Sequence, residues 1–133
     1  MRMAKKFKFR SALACEHITT GAGNKVTLIN IYGGAGILVA ELPANIWLSF
    51  YLEMESKHLP ANLDIEVRRD SEVVGRVGVE VSIEDEGSPL NIILPSGLMK
   101  IDHECTIDLV VKAKGFEDAV AISRFVKLGD IPA

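Results

Sequence analysis

Strict alternation of apolar and polar residues is the feature that most limits what this chain can become. Ala44, Ile46, Leu48, Phe50, Leu52 and Met54 alternate without a break with Asn45, Trp47, Ser49, Tyr51 and Glu53. A helix would scatter those apolar residues around its axis, whereas a strand places every second side chain on one side. The same pattern returns three times. Leu63, Ile65 and Val67 alternate with Asp64, Glu66 and Arg68; Val77, Val79, Val81 and Ile83 alternate with polar residues and Gly78; Cys105, Ile107, Leu109, Val111 and Ala113 alternate with a mostly polar row that includes Val110. These strands predict an inward row of Leu48, Phe50, Leu52, Ile65, Val67, Val79, Val81, Ile107, Leu109 and Val111.

The remaining strands are less regular. Phe7, Phe9, Leu13 and Cys15 share parity, which predicts a first strand with all four on the inward side. Val26 to Tyr32 and Leu90 to Leu94 are short apolar runs that read as strands buried on both faces. In the last strand, Val120 and Ile122 start on one face and Arg124 then falls where an apolar residue is due. A β-bulge near Ser123 and Arg124 reconciles that register. Turn chemistry separates the runs: Thr20-Gly21-Ala22-Gly23-Asn24, Gly33-Gly34-Ala35-Gly36, Arg69-Asp70-Ser71, the acidic Glu84-Asp85-Glu86-Gly87, and Lys114-Gly115-Phe116. Short turns at residues 56–60 and 96–102 are the only helix candidates. Seven to nine strands with short loops predict an antiparallel β-sandwich, immunoglobulin-like in architecture, with a closed barrel as the alternative.

Composition supports one self-sufficient domain. The 133 residues are 48% hydrophobic and 25% charged, enough to build a core without disulfides or metal. No apolar run reaches the roughly 18 residues of a spanning helix. A net charge of -3 and a pI near 5.6 argue against a nucleic-acid partner. Arg2, Lys5, Lys6, Lys8 and Arg10 make the start basic. No long apolar stretch or cleavage site follows, so they read as a tail leading into a lysine-guarded edge strand and not as an export signal. Cys15 and Cys105 do not make a secreted disulfide framework. The expectation is a cytoplasmic protein with no membrane partner and two reduced thiols in its core.

Most catalytic signatures are missing. The two glycine clusters complete neither a dinucleotide fingerprint nor a P-loop, and read as strand turns. There is no Gly-x-Ser-x-Gly elbow and no His-Glu-x-x-His. Glu84, Asp85 and Glu86 lack the ligand spacing of a calcium loop. One constellation has the right chemistry for a metal. Cys15 and His17 stand at i and i+2, as do His103 and Cys105, and the two pairs together would supply a Cys2His2 set for zinc. Each cysteine continues an apolar row, however, and a buried cysteine behaves as a small hydrophobe. The same burial argues against a Cys-His nucleophile. His58 has no partner nearby in sequence. Neither a metal nor any other cofactor is expected.

The stretch Ser11-Ala12-Leu13-Ala14-Cys15-Glu16-His17, the Gly-Asn-Lys turn into Val26 to Gly33, and Leu42-Pro43 ahead of the next strand resemble a family of small bacterial and phage-associated proteins catalogued as a domain of unknown function. The resemblance covers most of the chain. It implies an all-β sandwich and carries no site residues.

Three function classes follow. The leading one is a non-enzymatic binding or assembly module that uses a sheet face or loops for protein–protein contact. A small-ligand or metal-binding protein using Cys15/His17 and His103/Cys105 is the second, and an enzyme of unrecognised type the third. The first is favoured by a surplus of apolar residues off the inward rows. Trp47 and Tyr51 lie on the outer side of their strand, about 13 Å apart, and Ile29, Ile31, Ile93 and Val110 add to them. Either residues 33–42 fold over Trp47, or Trp47 and Tyr51 centre an interface with a second copy or another protein. The interface is the expectation.

Overall fold

The computed structural model describes residues 4–23, 25–34, 36–82 and 89–129. Within them the chain forms β1 (Phe9–Gly21), β2 (Lys25–Ile31), β3 (Gly36–Val39), β4 (Ala44–Glu55), β5 (Asn62–Arg69), β6 (Glu72–Glu80), β7 (Pro89–Ile101), β8 (Cys105–Lys112) and β9 (Ala119–Leu128). They make two sheets, ordered β2-β1-β4-β7 and β3-β9-β8-β5-β6, which pack face to face and do not close into a barrel. All pairs are antiparallel except β3 with β9. Ile83 and the acidic turn Glu84-Asp85-Glu86 lie outside the described residues.

The arrangement is immunoglobulin-like. That fold keeps strands B and E in one sheet and C, F and G in the other. Here β4 and β7 take the B and E places, β5, β8 and β9 take C, F and G, and β1 lies beside β4 as strand A lies beside B. No described strand fills the D position next to β7. The side between β6 and β7 therefore stays open, as an apolar cleft of about 240 Å³ lined by Val67, Val74, Leu94, Leu98 and Met99 among others.

The clean alternations become core. Leu48, Phe50, Leu52, Ile65, Ile107, Leu109 and Val111 are buried in one cluster, with Val67, Val79 and Val81 partly buried against it. The β5–β6 hairpin turns through Asp70 and Ser71, both in the left-handed region (φ 50° and 70°), which two-residue hairpin loops with the right twist require.

Bulges reset the parity where the expected faces fail. β1 pairs Phe9 with Met54 but Ser11 with Glu53, so Arg10 is an extra residue and everything after it changes face. Phe9 faces the core opposite Met54. Leu13 and Cys15 face outward, opposite Tyr51 and Ser49, and Ala14 takes the inward place opposite Phe50. Cys15 is therefore buried outside the core cluster, not on the inward row expected for it. The β9 bulge falls at Ala121 and not at Ser123 or Arg124, because Leu109 pairs with Ile122 and Val110 with Val120. Val120 consequently faces solvent while Ile122 is buried.

Four further expectations are corrected. β2 is an edge strand, and its Ile29, Asn30 and Ile31 are exposed rather than buried on both faces. β1 is an interior strand with partners on both sides, not a guarded edge. The chain just before it is tied to the β8–β9 hairpin: the Lys5 amide donates to the Gly115 carbonyl at 2.9 Å, and Phe7 stacks on Phe116 at 4.6 Å. Residues 96–101 belong to β7 and form no helical turn. β3 was not legible at all.

Candidate functional site

The outer face of the four-stranded sheet follows from the pairing. Cys15 stands opposite Ile31 and Ser49, His17 opposite Ile29, Tyr51 opposite Ile93, and Trp47 opposite Leu98. Side chains directly opposite share a face, so these residues form one surface. Ile29, Ile31, Trp47 and Leu98 are exposed on it, Trp47 at 44%. Residues 36–39 do not cover Trp47. They cross to the other sheet and pair with β9.

A polar seam runs through this face. After the Cys15–Ser49 pair, β1 separates from β4, and two hydroxyls fill the gap. Ser96 donates to the Glu16 carbonyl at 2.8 Å, and Ser49 donates to the same oxygen at 3.3 Å. Ser96 Oγ is also 2.8 Å from His17 Nδ1, and the His17 ring lies 5.2 Å from the Trp47 ring. The direction of the Ser96–His17 contact is set by the His17 tautomer. The seam is a clasp between β1, β4 and β7.

The two cysteine–histidine pairs do not meet. Cys15 lies on the outer side of the four-stranded sheet, and its thiol donates to the His17 carbonyl at 3.4 Å. Cys105 is buried between the sheets, opposite Val126. His103 turns away from it into the loop before β8, where Nε2 sits 3.0 Å from Asp70 Oδ2. Among the described residues no three His, Cys, Asp or Glu side chains converge on a metal position. Both thiols are free, and burial pushes both up in pKa. In thiol titration of the native protein both are expected to react slowly, and both rapidly after denaturation. One fast native thiol would place Cys15 on an open surface. His58, in a left-handed turn, lines a shallow hollow with Lys5, Lys114 and Phe116.

A second concavity, about 630 Å³, opens at the end of the sandwich where β1 leaves β4. Its floor comes from Ile37, Val39 and Ile46, and its rim from Glu16, Tyr32, Glu41, Asn45 and Trp47. Tyr32 is held firmly. Its amide donates to the Ala14 carbonyl at 2.8 Å, its hydroxyl donates to the Trp47 carbonyl at 2.7 Å, and its own carbonyl accepts from Arg124 Nε at 3.2 Å. Burial first, then the negative charge of Glu16, push its hydroxyl up to about 12. Sequence reasoning missed this site because its residues come from three separated segments. Only Trp47 carried a signal, as an aromatic off the inward row.

The outer side of the five-stranded sheet is different in kind. Glu66, 3% exposed, accepts from Arg68 at 2.6 Å and from Arg76 at 2.9 Å, with Lys112 at 3.8 Å. Val110 is buried beside it, opposite Glu66 in the ladder. That charge cluster covers Val110, while Val120 and Phe125 on the same side stay exposed.

No family model matches the chain, and a search of curated proteins finds no match. No helix among the described residues is long and apolar enough to cross a membrane.

Proposed function

We propose that the chain is a non-enzymatic assembly module that pairs with a second copy of itself through the outer face of the β2-β1-β4-β7 sheet. The observation that carries this reading is the exposure of Ile29, Ile31, Trp47 and Leu98, from β2, β4 and β7, on one face of the sheet. Folded chains seldom leave such a patch in water, and aromatic residues concentrate in interface cores. Four strands about 4.8 Å apart and some eight residues long give a face of about 500 Å². That approaches the roughly 800 Å² each partner contributes to a standard interface.

Charge placement favours a second copy as the occupant. Glu53 stands toward one end of the face, and Lys100, opposite Asn45, at the other. A two-fold axis lying in the face and crossing the strands brings Glu53 of one copy over the Lys100 end of its partner. Self-pairing therefore sets opposite charges at both rims, as an isologous contact needs.

Sedimentation equilibrium tests it. The wild type is expected at about twice its 14.5 kDa mass, and Trp47→Glu and Leu98→Glu at the monomer mass with unchanged circular dichroism. A wild type that stays at 14.5 kDa up to about 100 μM overturns the reading. So do variants that remain dimeric.

A further inference from the structure

We infer that the open side of the sandwich between β6 and β7 takes up an extended peptide segment of another protein as an added strand beside β7. The occupant carries apolar side chains at alternate positions and an acidic residue at its start. The cleft there, about 240 Å³, has core residues Leu48 and Phe50 for its floor. Its β6 wall lacks a cover. Val77 pairs with the fully buried Ile65, so the register turns it toward the opposite sheet, yet it is 39% exposed. Five strands lie over four, and β6 overhangs the open edge of β7. β6 ends at Glu80 and β7 begins at Pro89, both at the other end of the sandwich from this cleft. Two glycines make the room. Gly97 pairs with Leu48 and Gly75 with Val67, so each stands where an inward side chain is due. A Cβ at Gly97 would meet nothing within 4 Å, and one at Gly75 only Val67 at 3.8 Å. An apolar cavity of about 150 Å³ holds a benzene-sized group, so this cleft admits a large aliphatic side chain and a smaller neighbour.

The backbone selects a peptide over an acyl chain. Among the described residues β7 pairs with β4 alone, and its other edge is open. Arg69 Nη1 reaches across from β5 and donates to the Lys100 carbonyl at 2.9 Å, standing where a ladder partner would. Alternate residues of a strand turn their amides and carbonyls to the same edge, so Leu98 offers its own pair there too. An added strand satisfies such groups, and its alternate side chains fill the pockets beside them. Charge narrows the class further. Arg76 is the one charged residue that lines the cleft, and its guanidinium is drawn to Glu66 on the outer face. The inserted side chains are therefore apolar. A strand antiparallel to β7 begins at the Lys100 end, beside Arg69. Asp70, next to Arg69 in the chain, is itself held by His103 and the Thr106 amide. An acidic first residue on the peptide complements Arg69. A second copy fits this place poorly: joined β7 to β7, the two overhanging β6 strands would compete for the same space.

The probe is a capped heptapeptide, Asp-Thr-Val-Thr-Leu-Thr-Val, labelled at its C-terminus and followed by fluorescence anisotropy. Wild type and Trp47→Glu are both expected to bind it with a Kd of about 10–100 μM, because Trp47 does not line this cleft. Exchange of the Leu98 amide is expected to slow about tenfold in saturating peptide. Gly97→Val puts a side chain into the open cleft and should weaken binding about tenfold or more with unchanged circular dichroism. Gly75→Val fills the other wall and serves where Gly97→Val disturbs the fold. Arg69→Gln, or Lys in place of the peptide's Asp, should weaken binding about 2–5-fold. A peptide with Ser at its three apolar positions should not bind up to about 1 mM. Binding to a monomeric Trp47→Glu supports the cleft whatever the wild type's oligomeric state, which keeps this result separate from the self-pairing reading. The proposal is overturned if neither protein binds the peptide, if both glycine variants bind it undiminished, or if the Leu98 amide gains no protection. Uptake of decanoate without the peptide assigns the cleft to an acyl chain and overturns it as well. So does a Trp47→Glu variant that remains dimeric with its Leu98 amide already protected, which assigns the edge to a second copy.

Discussion

Phe50→Ala is expected to destabilise the domain by about 3–5 kcal/mol, the range for truncating a buried aromatic. The ring lies in the inward row of β4, 4% exposed, between Ala14 of β1 and Leu94 of β7 in the ladder. Ala14 is the small neighbour beside a large ring, and it cannot expand to refill the space. The flanking strands are held by pairing on both sides, so the cavity collapses little, and the cost sits toward the upper end. Against a typical total of about 5–15 kcal/mol, the variant is left marginal. Urea denaturation should show a lower midpoint at unchanged slope. A loss under about 1 kcal/mol would mean that the ring is not in the core.

The sandwich was legible in the sequence because half-buried strands write their two faces as alternate letters. β4, β5 and β8 needed nothing more. Where reading failed, a single backbone event was responsible in most cases. One bulge at Arg10 turned Leu13 and Cys15 from the core to the outer face and carried Ala14 inward. A residue of positive charge at such a position gives no local sign that the strand has gained an extra member. The β9 bulge was anticipated in kind but misplaced by two or three residues, since Ala121 is neutral to either side of a sheet.

Burial is a property of neighbours, and a strand's letters do not name its neighbours. Val26 to Tyr32 looks like a doubly buried strand, yet β2 has one partner and lies at an edge. Val110 breaks a polar row without explanation until Glu66, Arg68, Arg76 and Lys112 are seen to gather on the same face. β3 is four residues long and pairs in parallel with the distant β9, so no local pattern marks it. The outer-face surplus was visible through Trp47 and Tyr51. Its extent was not, because Leu98 joins it only after a bulge in β7 at Pro95 and Ser96 has flipped that strand's parity.

Glu66→Gln is expected to reduce the protein's acid sensitivity and to lower its thermal midpoint at neutral pH. The hydrogen bonds from Arg68 hold the Glu66 carboxyl below the usual carboxylate range; burial opposes this, and the Arg76 hydrogen bond and the Lys112 charge reinforce it. In the unfolded chain the same group titrates near about 4.3. Between the folded and unfolded values the unfolded state binds more protons, so stability falls as pH falls. The stabilisation from Glu66 is thus fully present above about pH 5 and is lost as the pH drops through its folded value. Glutamine keeps the shape and one acceptor but leaves Arg68, Arg76 and Lys112 converging on a neutral group, which costs stability at neutral pH and abolishes this part of the slope. Asp70, lowered first by the Thr106 amide and then by His103, acts in the same direction, so a residual slope belongs to it. Adding Asp70→Asn should flatten the profile further. Thermal midpoints between about pH 2 and 7 decide the matter: superimposable wild-type and Glu66→Gln curves would show that the four charged groups are solvated independently.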